Sequence, residues 1–173
     1  MKIYERLDTT DKINDSSEIV CIGAFDGVHL AHQELFKKTR DLNQQFDIVT
    51  FDVLPKIYFN DSLKPLVSKK ERSEIFETFS PKNLIYLNFE LFNKISSTNF
   101  CKFLDENLGI KKIVVGKDFK FGKNRSGDIN TLIDSFGEDN VFLLDDFLIN
   151  NEKVSSTKLL SLIHISEPTR RSY

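Results

Sequence analysis

The amino-acid sequence predicts an α/β fold in which helices cover both faces of an open, mostly parallel sheet. Five short apolar runs have the length and the β-branched content of buried strands. Amphipathic stretches with apolar residues at helical spacing separate these runs along the chain. Strands that alternate with helices form parallel sheets, because each helix carries the chain back to the start of the next strand. The predicted strands are residues 19–22, 47–51, 83–87, 113–115 and 141–144.

The helices between the strands carry recognisable start and stop signals. The first begins near residue 29 and ends at about residue 42, with apolar residues at helical spacing. Ser68 and Glu71 have the spacing of a capping box, which predicts a helix start at that point. A further helix over about residues 98–108 ends at Gly109, a residue typical of a helix C-terminal cap.

Composition indicates one ordinary globular domain. The chain has 173 residues, of which 40% are hydrophobic and 29% are charged. Its net charge of −2 provides no general basic face, so we expect no nucleic-acid partner. No long apolar span or signal peptide is visible, so we expect a cytoplasmic protein without membrane association. Cys21 and Cys101 are predicted to be small core residues, and no protein residue is assigned as a metal ligand.

Three unusual segments follow predicted strands and are expected to share one edge of the sheet. They are residues 23–32, 50–55 and 116–128. In open α/β sheets, ligands bind at the carboxyl ends of the strands, close to the point where the strand order reverses. The binding site is therefore predicted at the edge where these segments meet.

The first segment has the character of an anion site. Two glycines bound a turn between a strand and a helix, and the first helical turn offers unpaired N–H groups. His29 and His32 are three residues apart, so both project from one face of that turn. Cations are disfavoured at a helix N-terminus. A bound phosphate would account for two histidines there, although a pair of surface histidines is the alternative.

Residues 23–33, G-A-F-D-G-V-H-L-A-H-Q, closely resemble the G-x-F-D-G-V-H-x-G-H-Q signature of bacterial FAD synthetases. These are usually the N-terminal module of bifunctional riboflavin kinase/FMN adenylyltransferases. The resemblance implies a Rossmann-like nucleotidyltransferase sheet. It also implies that His29 and His32 are catalytic, holding ATP and stabilising charge on its α-phosphate. Ala31 stands where the family has glycine. The ATP-binding residues implied in this segment are Gly23, Phe25, Asp26 and Gly27.

Residues 115–128 resemble a second family segment, V-G-x-D-F-x-F-G-x-x-R-x-G. Judged from the residues alone, this stretch could be a solvated loop. Its two phenylalanines between glycines suit either a planar ring system or a packed loop base. The resemblance implies that FMN is bound by Asp118, Phe119 and Phe121, and that Lys123 and Arg125 lie near the nucleotide.

Residues 50–55, T-F-D-V-L-P, are similar to the family's T-F-x-P-H-P. Val53 and Leu54 replace proline and histidine, so any contact made through that histidine is lost. Asp52 is implied in FMN binding by the same resemblance.

Residues 153–158, K-V-S-S-T-K, resemble the family's I-S-S-T-x-I-R, a helix start that binds ATP phosphates. The residues implied are Ser155, Ser156 and Thr157. An ordinary helix N-cap is the alternative. Leu160 occupies the position of the family's arginine.

The last residues, 160–173, resemble a translated sequencing-library adapter. We therefore expect the domain to comprise residues 1–159 and the tail to be non-native, exposed and poorly ordered from about Ser166. A junction at this point would explain the missing arginine. It would also explain the absence of the riboflavin kinase module expected downstream in the native gene.

The resemblance implies an enzyme that transfers AMP from ATP to FMN, giving FAD and pyrophosphate, with Mg²⁺ neutralising the phosphates. Two alternatives stay open at this point. One is adenylyl transfer to another acceptor, for example nicotinate nucleotide or phosphopantetheine. The other is a nucleotide- or flavin-binding domain without turnover.

Overall fold

A computed structural model describes residues 1–26, 30–65, 67–144, 147–149 and 152–155 of the chain. Its strands are β1 (Lys2–Leu7), β2 (Ile19–Ile22), β3 (Phe46–Phe51), β4 (Asn83–Leu87), β5 (Lys112–Gly116), β6 (Val141–Leu144), β7 (Phe147–Ile149) and β8 (Glu152–Ser155). The main sheet has the strand order β1-β4-β3-β2-β5-β6, and every neighbouring pair is parallel. A separate antiparallel pair is formed by β7 and β8.

Short helices connect the strands of the main sheet. The described α-helices are α1 (Leu30–Leu42), α2 (Pro55–Phe59), α3 (Lys69–Glu77), α4 (Phe89–Phe92), α5 (Ser97–Lys102) and α6 (Ile129–Phe136). Helix α5 continues as a π-helical turn over Phe103–Asn107. Among the described residues, 3₁₀ turns lie at Lys123–Arg125 and Glu138–Asn140. None of these α-helices extends beyond 13 residues. None of them combines the length and the apolar character that crossing a bilayer requires.

The predicted fold class is confirmed, and the five predicted strands correspond to β2 through β6. The capping box before α3 is present, since the Ser68 side chain accepts from the Glu71 N–H and the Glu71 side chain accepts from the Ser68 N–H. Gly109 has the left-handed φ of 69° expected of a C-terminal cap, and its N–H donates to the Asp105 carbonyl at 2.9 Å.

Side chains alternate between two cores, one on each face of the sheet. Cys21 and Ile48 face a core that α1 and α3 cover. Their neighbours Val20, Ile22 and Val49 face the opposite core, which α4, α5 and α6 cover. This alternation follows from the two-residue period of a strand, and it explains why the strands of the central sheet are apolar on both faces. Cys21 and Cys101 are free, buried core residues as predicted, and burial raises the pKa of both thiols.

The order of the strands reverses at β2. After β2 the chain adds β3 and then β4 on one side, and it later returns to place β5 on the other side of β2. The loops that leave β2 and β5 therefore diverge at the carboxyl edge of the sheet and leave a crevice between them.

A buried carboxylate, that of Asp47, lies at the opposite edge of the sheet, where the parallel strands begin. Asp47, fully buried near the start of β3, accepts from the N–H and the hydroxyl of Ser17 at 2.8 and 2.9 Å. It also accepts from the backbone and side-chain amides of Asn83 at 3.2 and 3.1 Å. These bonds tie the loop before β2 to the first residue of β4. Burial nevertheless raises the pKa of Asp47 above its ordinary value.

We expect Asp47→Ala to lower the free energy of unfolding by about 2–4 kcal/mol, because it leaves buried donors without acceptors. Because folding raises the pKa of Asp47, the native state binds its proton more tightly than the unfolded state does. The free energy of unfolding of the wild type therefore declines as the pH rises from the ordinary pKa of aspartate to the pKa of Asp47 in the folded protein. The alanine variant lacks this dependence. The difference between the two proteins should therefore be larger at mildly acid pH than at neutral pH.

Urea unfolding of both proteins at several pH values measures this difference. Asp41→Ala, an exposed aspartate at the end of α1, is the matched control and should change stability by no more than about 0.5 kcal/mol. A difference that instead grows toward neutral pH would show that the hydrogen bonds to Asp47 outweigh its desolvation.

Candidate functional site

A cavity of about 770 Å³ opens at the carboxyl edge of the sheet, between the loops that follow β2 and β5. It is lined by parts of all three segments that the sequence analysis placed at this edge. The predicted site residues on its wall are Gly23, Phe25, Asp26, His32, Asp118, Phe119, Phe121 and Arg125.

The turn after β2 is closely packed and strained. Phe25 has a left-handed φ of 54°, which is rare for a non-glycine residue, although its ring is almost fully buried. The ring packs edge-on against Phe36 of α1 and against His32, with centroids 5.0 and 5.3 Å apart. A Cβ atom on Gly23 would lie 2.7 Å from the Phe25 ring, so this position accepts only glycine without rearrangement. His32 therefore lies at the cavity with its ring packed against the buried ring of Phe25.

Asp26 and Lys56 form an ion pair at the cavity wall. Asp26 Oδ2 contacts the ammonium of Lys56, which lies in the first turn of α2. Asp26 Oδ1 is buried and makes no hydrogen bond within the part of the chain that the structure describes. Lys56 was not among the residues predicted for the site. The only sequence feature that marked Lys56 was its position directly after Pro55, the proline that starts α2.

The loop after β5 is built on Phe121. This ring is almost fully buried and packs 5.0 Å from Phe100, while its backbone exchanges two hydrogen bonds with Gly127, at 3.1 and 2.8 Å. Phe119 stacks on Phe121 with centroids 5.4 Å apart and an interplanar angle of 22°. Phe121 thus forms a packed loop base, whereas Phe119, only partly buried, presents a ring supported from below to the cavity.

Gly122 allows the loop to pass close to α5. It has a left-handed φ of 77°, and a Cβ atom there would lie 2.9 Å from the backbone nitrogen of Ser97. Asn124 and Arg125 also have left-handed φ values, 58° and 56°. This tight turn brings Arg125 to the cavity, but Lys123 does not line it.

Asp52, implied in FMN binding by the resemblance, lies outside the cavity lining. Its Oδ1 accepts from the backbone N–H groups of Val53 and Phe89, at 2.8 and 2.9 Å. Its Oδ2 pairs with Arg6 Nε of β1 at 3.0 Å. Its described contacts therefore join β1, the end of β3 and the start of α4, and they give no support to a flavin contact. The assignment of Asp52 stays a prediction from the resemblance.

The helix start predicted for residues 153–158 is wrong for residues 153–155, which form part of a strand. Lys153 and Ser155 belong to β8, whose hairpin with β7 the sequence analysis did not predict. Four predicted site residues and the predicted tail lie outside the described residues. The four residues are Gly27, His29, Ser156 and Thr157.

An aromatic wall extends the cavity beyond the predicted residues. Leu54 is 4% exposed and contributes to this apolar surface. Phe59 of α2 is 63% exposed and packs edge-on against Phe89 of α4, with centroids 5.9 Å apart. Helices of four or five residues carry no periodic signal, so the sequence analysis missed these contacts. The phenylalanines added to the lining are Phe51, Phe59, Phe89, Phe92 and Phe100.

A parallel sheet whose strand order reverses at β2, with a cavity at that point lined by residues that follow β2 and β5, is an α/β nucleotidyltransferase-like fold. The family model of FAD synthetase matches residues 11–158. The chain therefore belongs to the FAD synthetase family.

Individual relatives agree with this assignment. The chain is 32% identical over 170 residues to a bifunctional riboflavin kinase/FMN adenylyltransferase from Buchnera aphidicola, covering 92% of this chain and 54% of the relative. It is 28% identical over 163 residues to an FAD synthetase from Listeria monocytogenes, covering 84% and 63%. The chain thus spans about half the length of the Buchnera relative.

Among solved structures, the fold matches the crystal structure of a macrolide-efflux protein from Streptococcus pneumoniae. The TM-score is 0.73 at 25% identity, and the match covers 90% of this chain and 63% of that one.

We expect Gly23→Ala to lower the free energy of unfolding by about 1–3 kcal/mol, because its methyl group would overlap the buried Phe25 ring. Gly116→Ala is the matched control at the end of the neighbouring strand, where an added Cβ meets no atom within 4 Å. Its effect should stay within about 0.5 kcal/mol. Urea unfolding without ligand measures both, and equal losses would contradict the packing role assigned to Gly23.

Proposed function

We propose that this chain transfers AMP from ATP to FMN, giving FAD and pyrophosphate. The observation that carries the proposal is a single cavity in which the turn after β2 faces the aromatic loop after β5. The first suits phosphate groups and the second suits a flat ring system. Membership of the FAD synthetase family supports the same reaction.

In the proposed reaction, an oxygen of the FMN phosphate attacks the α-phosphorus of ATP, and the bond to the β-phosphate oxygen breaks, releasing pyrophosphate. No covalent intermediate with the protein is required, so the protein contributes alignment and charge stabilisation. We assign this stabilisation to His32, which stands on the cavity wall, and to His29 by resemblance. We place Arg125 on the nucleotide's phosphates, because it brings a guanidinium to the same cavity.

We assign the flavin ring to the aromatic part of the cavity. Phe119 presents a ring to the cavity and stacks on the buried Phe121 behind it. Phe59 of α2 contributes an exposed ring to the same cavity. Aromatic rings in offset or edge-to-face contact stabilise a complex by more than the burial of their apolar surface alone. An acceptor without such a ring, such as phosphopantetheine, would leave these side chains without a matching surface.

Mg²⁺ is expected to enter with the phosphates of ATP, since this ion is usually held by substrate phosphates, water and one or two carboxylates. Among the described residues, no group of three or more His, Cys, Asp or Glu side chains forms a ready-made metal site. The buried Asp26 Oδ1, without a hydrogen bond there, could supply one carboxylate contact to such an ion. When bound, the ion would neutralise phosphate charge.

We further propose that the FMN is supplied by phosphorylation of riboflavin. The Buchnera relative is named as both a riboflavin kinase and an FMN adenylyltransferase, and this chain spans about half of its length. We place the reaction in the cytoplasm, where ATP is available.

The test is FAD formation from FMN, ATP and Mg²⁺, followed by chromatography together with pyrophosphate release. We expect turnover by the wild type, and a drop in kcat of about 10²-fold for His32→Ala, the loss typical when one stabilising donor is removed. The control is Lys37→Ala, an exposed position on the same helix, which should retain wild-type turnover. Pyrophosphate release with nicotinate mononucleotide or phosphopantetheine instead of FMN would favour another acceptor. Substrate binding without pyrophosphate release would favour a non-catalytic domain.

A second prediction concerns the flavin half of the cavity. We expect Phe119→Ala to weaken FMN binding about tenfold, because it removes a supported ring, while ATP binding changes little. Quenching of flavin fluorescence measures FMN binding. Phe119→Tyr keeps the ring and should bind FMN like the wild type. Loss of ATP binding alone would reverse the assignment of this loop.

A further inference from the structure

Arg72 of α3 is a fully buried cation next to the turn that carries the site. Only 2% of its surface is exposed, although a guanidinium stays protonated in proteins and is costly to bury. Its Nη2 donates to the Ala24 carbonyl and to Thr50 Oγ1, both at 2.9 Å. Its Nη1 lies 3.5 Å from the Phe51 carbonyl. These acceptors follow β2 and end β3, so one side chain bridges the two strands whose loops reach the cavity.

The bond to Ala24 acts on the strained residue of the turn. The Ala24 carbonyl belongs to the peptide group whose nitrogen is that of Phe25, so fixing this group restricts the φ of Phe25. The same carbonyl also accepts from Thr50 Oγ1 at 3.1 Å. Two donors therefore hold the peptide plane that precedes the left-handed φ of 54°. Strained backbone of this kind persists only where surrounding contacts hold it.

Side-chain packing carries the constraint from Arg72 to the cavity. The Phe25 ring packs against His32, with centroids 5.3 Å apart, and against Phe76 at 5.9 Å. The guanidinium of Arg72 lies 5.8 Å from the centre of the Phe76 ring. The left-handed backbone of Phe25 and the position of its ring, which packs against His32, thus depend on the same buried cation, Arg72.

We propose that Arg72 is a positioning residue that holds the Ala24–Phe25 peptide and, through Phe25, sets the orientation of His32. The positional part concerns the ligand-free protein. Its kinetic consequence rests on the proposed function, because it requires that His32 stabilise the transferred phosphate. Arg72 itself is not on the cavity wall.

The decisive variant is Arg72→Lys, which keeps the charge but replaces the planar fork with one compact ammonium group. A lysine cannot reproduce the geometry of donors toward Ala24, Thr50 and Phe51. Thr50→Val is a milder variant that removes one acceptor of Arg72 and one donor to the Ala24 carbonyl. Lys70→Met, at an exposed position of the same helix, is the matched control.

The first measurement is the imidazole signal of His32 in ¹H–¹³C NMR spectra of the ligand-free protein. The chain has 3 histidines, so comparison with His32→Ala assigns the signal. We expect Arg72→Lys to move this signal, because the ring current of Phe25 at His32 changes, and Lys70→Met to leave it in place. Thr50→Val should move it less and in the same direction.

The second measurement is FAD formation by variants shown to be folded by circular dichroism. We expect Arg72→Lys to lower kcat tenfold to a hundredfold, with a smaller change in KM for ATP, since misplacement of a reacting group has effects of this size. A folded Arg72→Lys protein with the wild-type His32 signal and kcat within twofold of wild type would overturn the proposal. If Arg72→Lys does not fold, an unmoved His32 signal in Thr50→Val would overturn it.

The two measurements separate this inference from the proposed function. A wild-type protein without FAD formation would refute the function, while the NMR comparison would still test the positioning. A moved His32 signal with unchanged turnover would refute the kinetic part.

Discussion

The site depends on the reversal of strand order at β2. Because β3 and β5 bond to opposite sides of this strand, the loops that follow β2 and β5 diverge from neighbouring strand ends. The crevice between them follows from the course of the backbone and does not depend on particular side chains. Hydrogen bonds from Arg72 and Thr50 hold the turn after β2 next to this crevice. The strained backbone of Phe25 is thereby held by hydrogen bonds from the same two side chains. A site on such a support keeps its geometry better than one on a free loop.

Phenylalanine links the two cores to the cavity. The chain has 16 phenylalanines and no tryptophan, and many of them pack edge-to-face in continuous series. On one face Phe36 and Phe76 contact Phe25, which reaches the cavity wall. On the other face Phe100 supports Phe121. The cavity wall is therefore an extension of both cores, so a change in the wall alters protein stability as well as any ligand contact.

The parts of the fold that the sequence predicted are those with long or periodic signals. The apolar runs identified β2 through β6 because buried parallel strands need apolar side chains on both faces. α2 and α4 were not predicted, because a helix of four or five residues is too short to show a helical period in the sequence. Pattern and resemblance placed the segment of Asp52 at the correct edge, but they could not foresee that Arg6 from β1 would pair with its carboxylate. Contacts between elements distant in sequence decide such roles, and a single sequence does not contain them.

Positions 53 and 54 contribute differently to the cavity, and together with Lys56 they separate an apolar part of its wall from a charged part. Leu54 is buried and extends the apolar wall, whereas Val53 is 38% exposed and lies outside the lining. Charge on this side comes from Lys56 instead, paired with Asp26 of the turn after β2. This ion pair joins the two segments, because one partner follows β2 and the other lies in α2. An anion bound at the turn would therefore meet a cation already placed by a neighbouring carboxylate, although position 54 carries an apolar leucine.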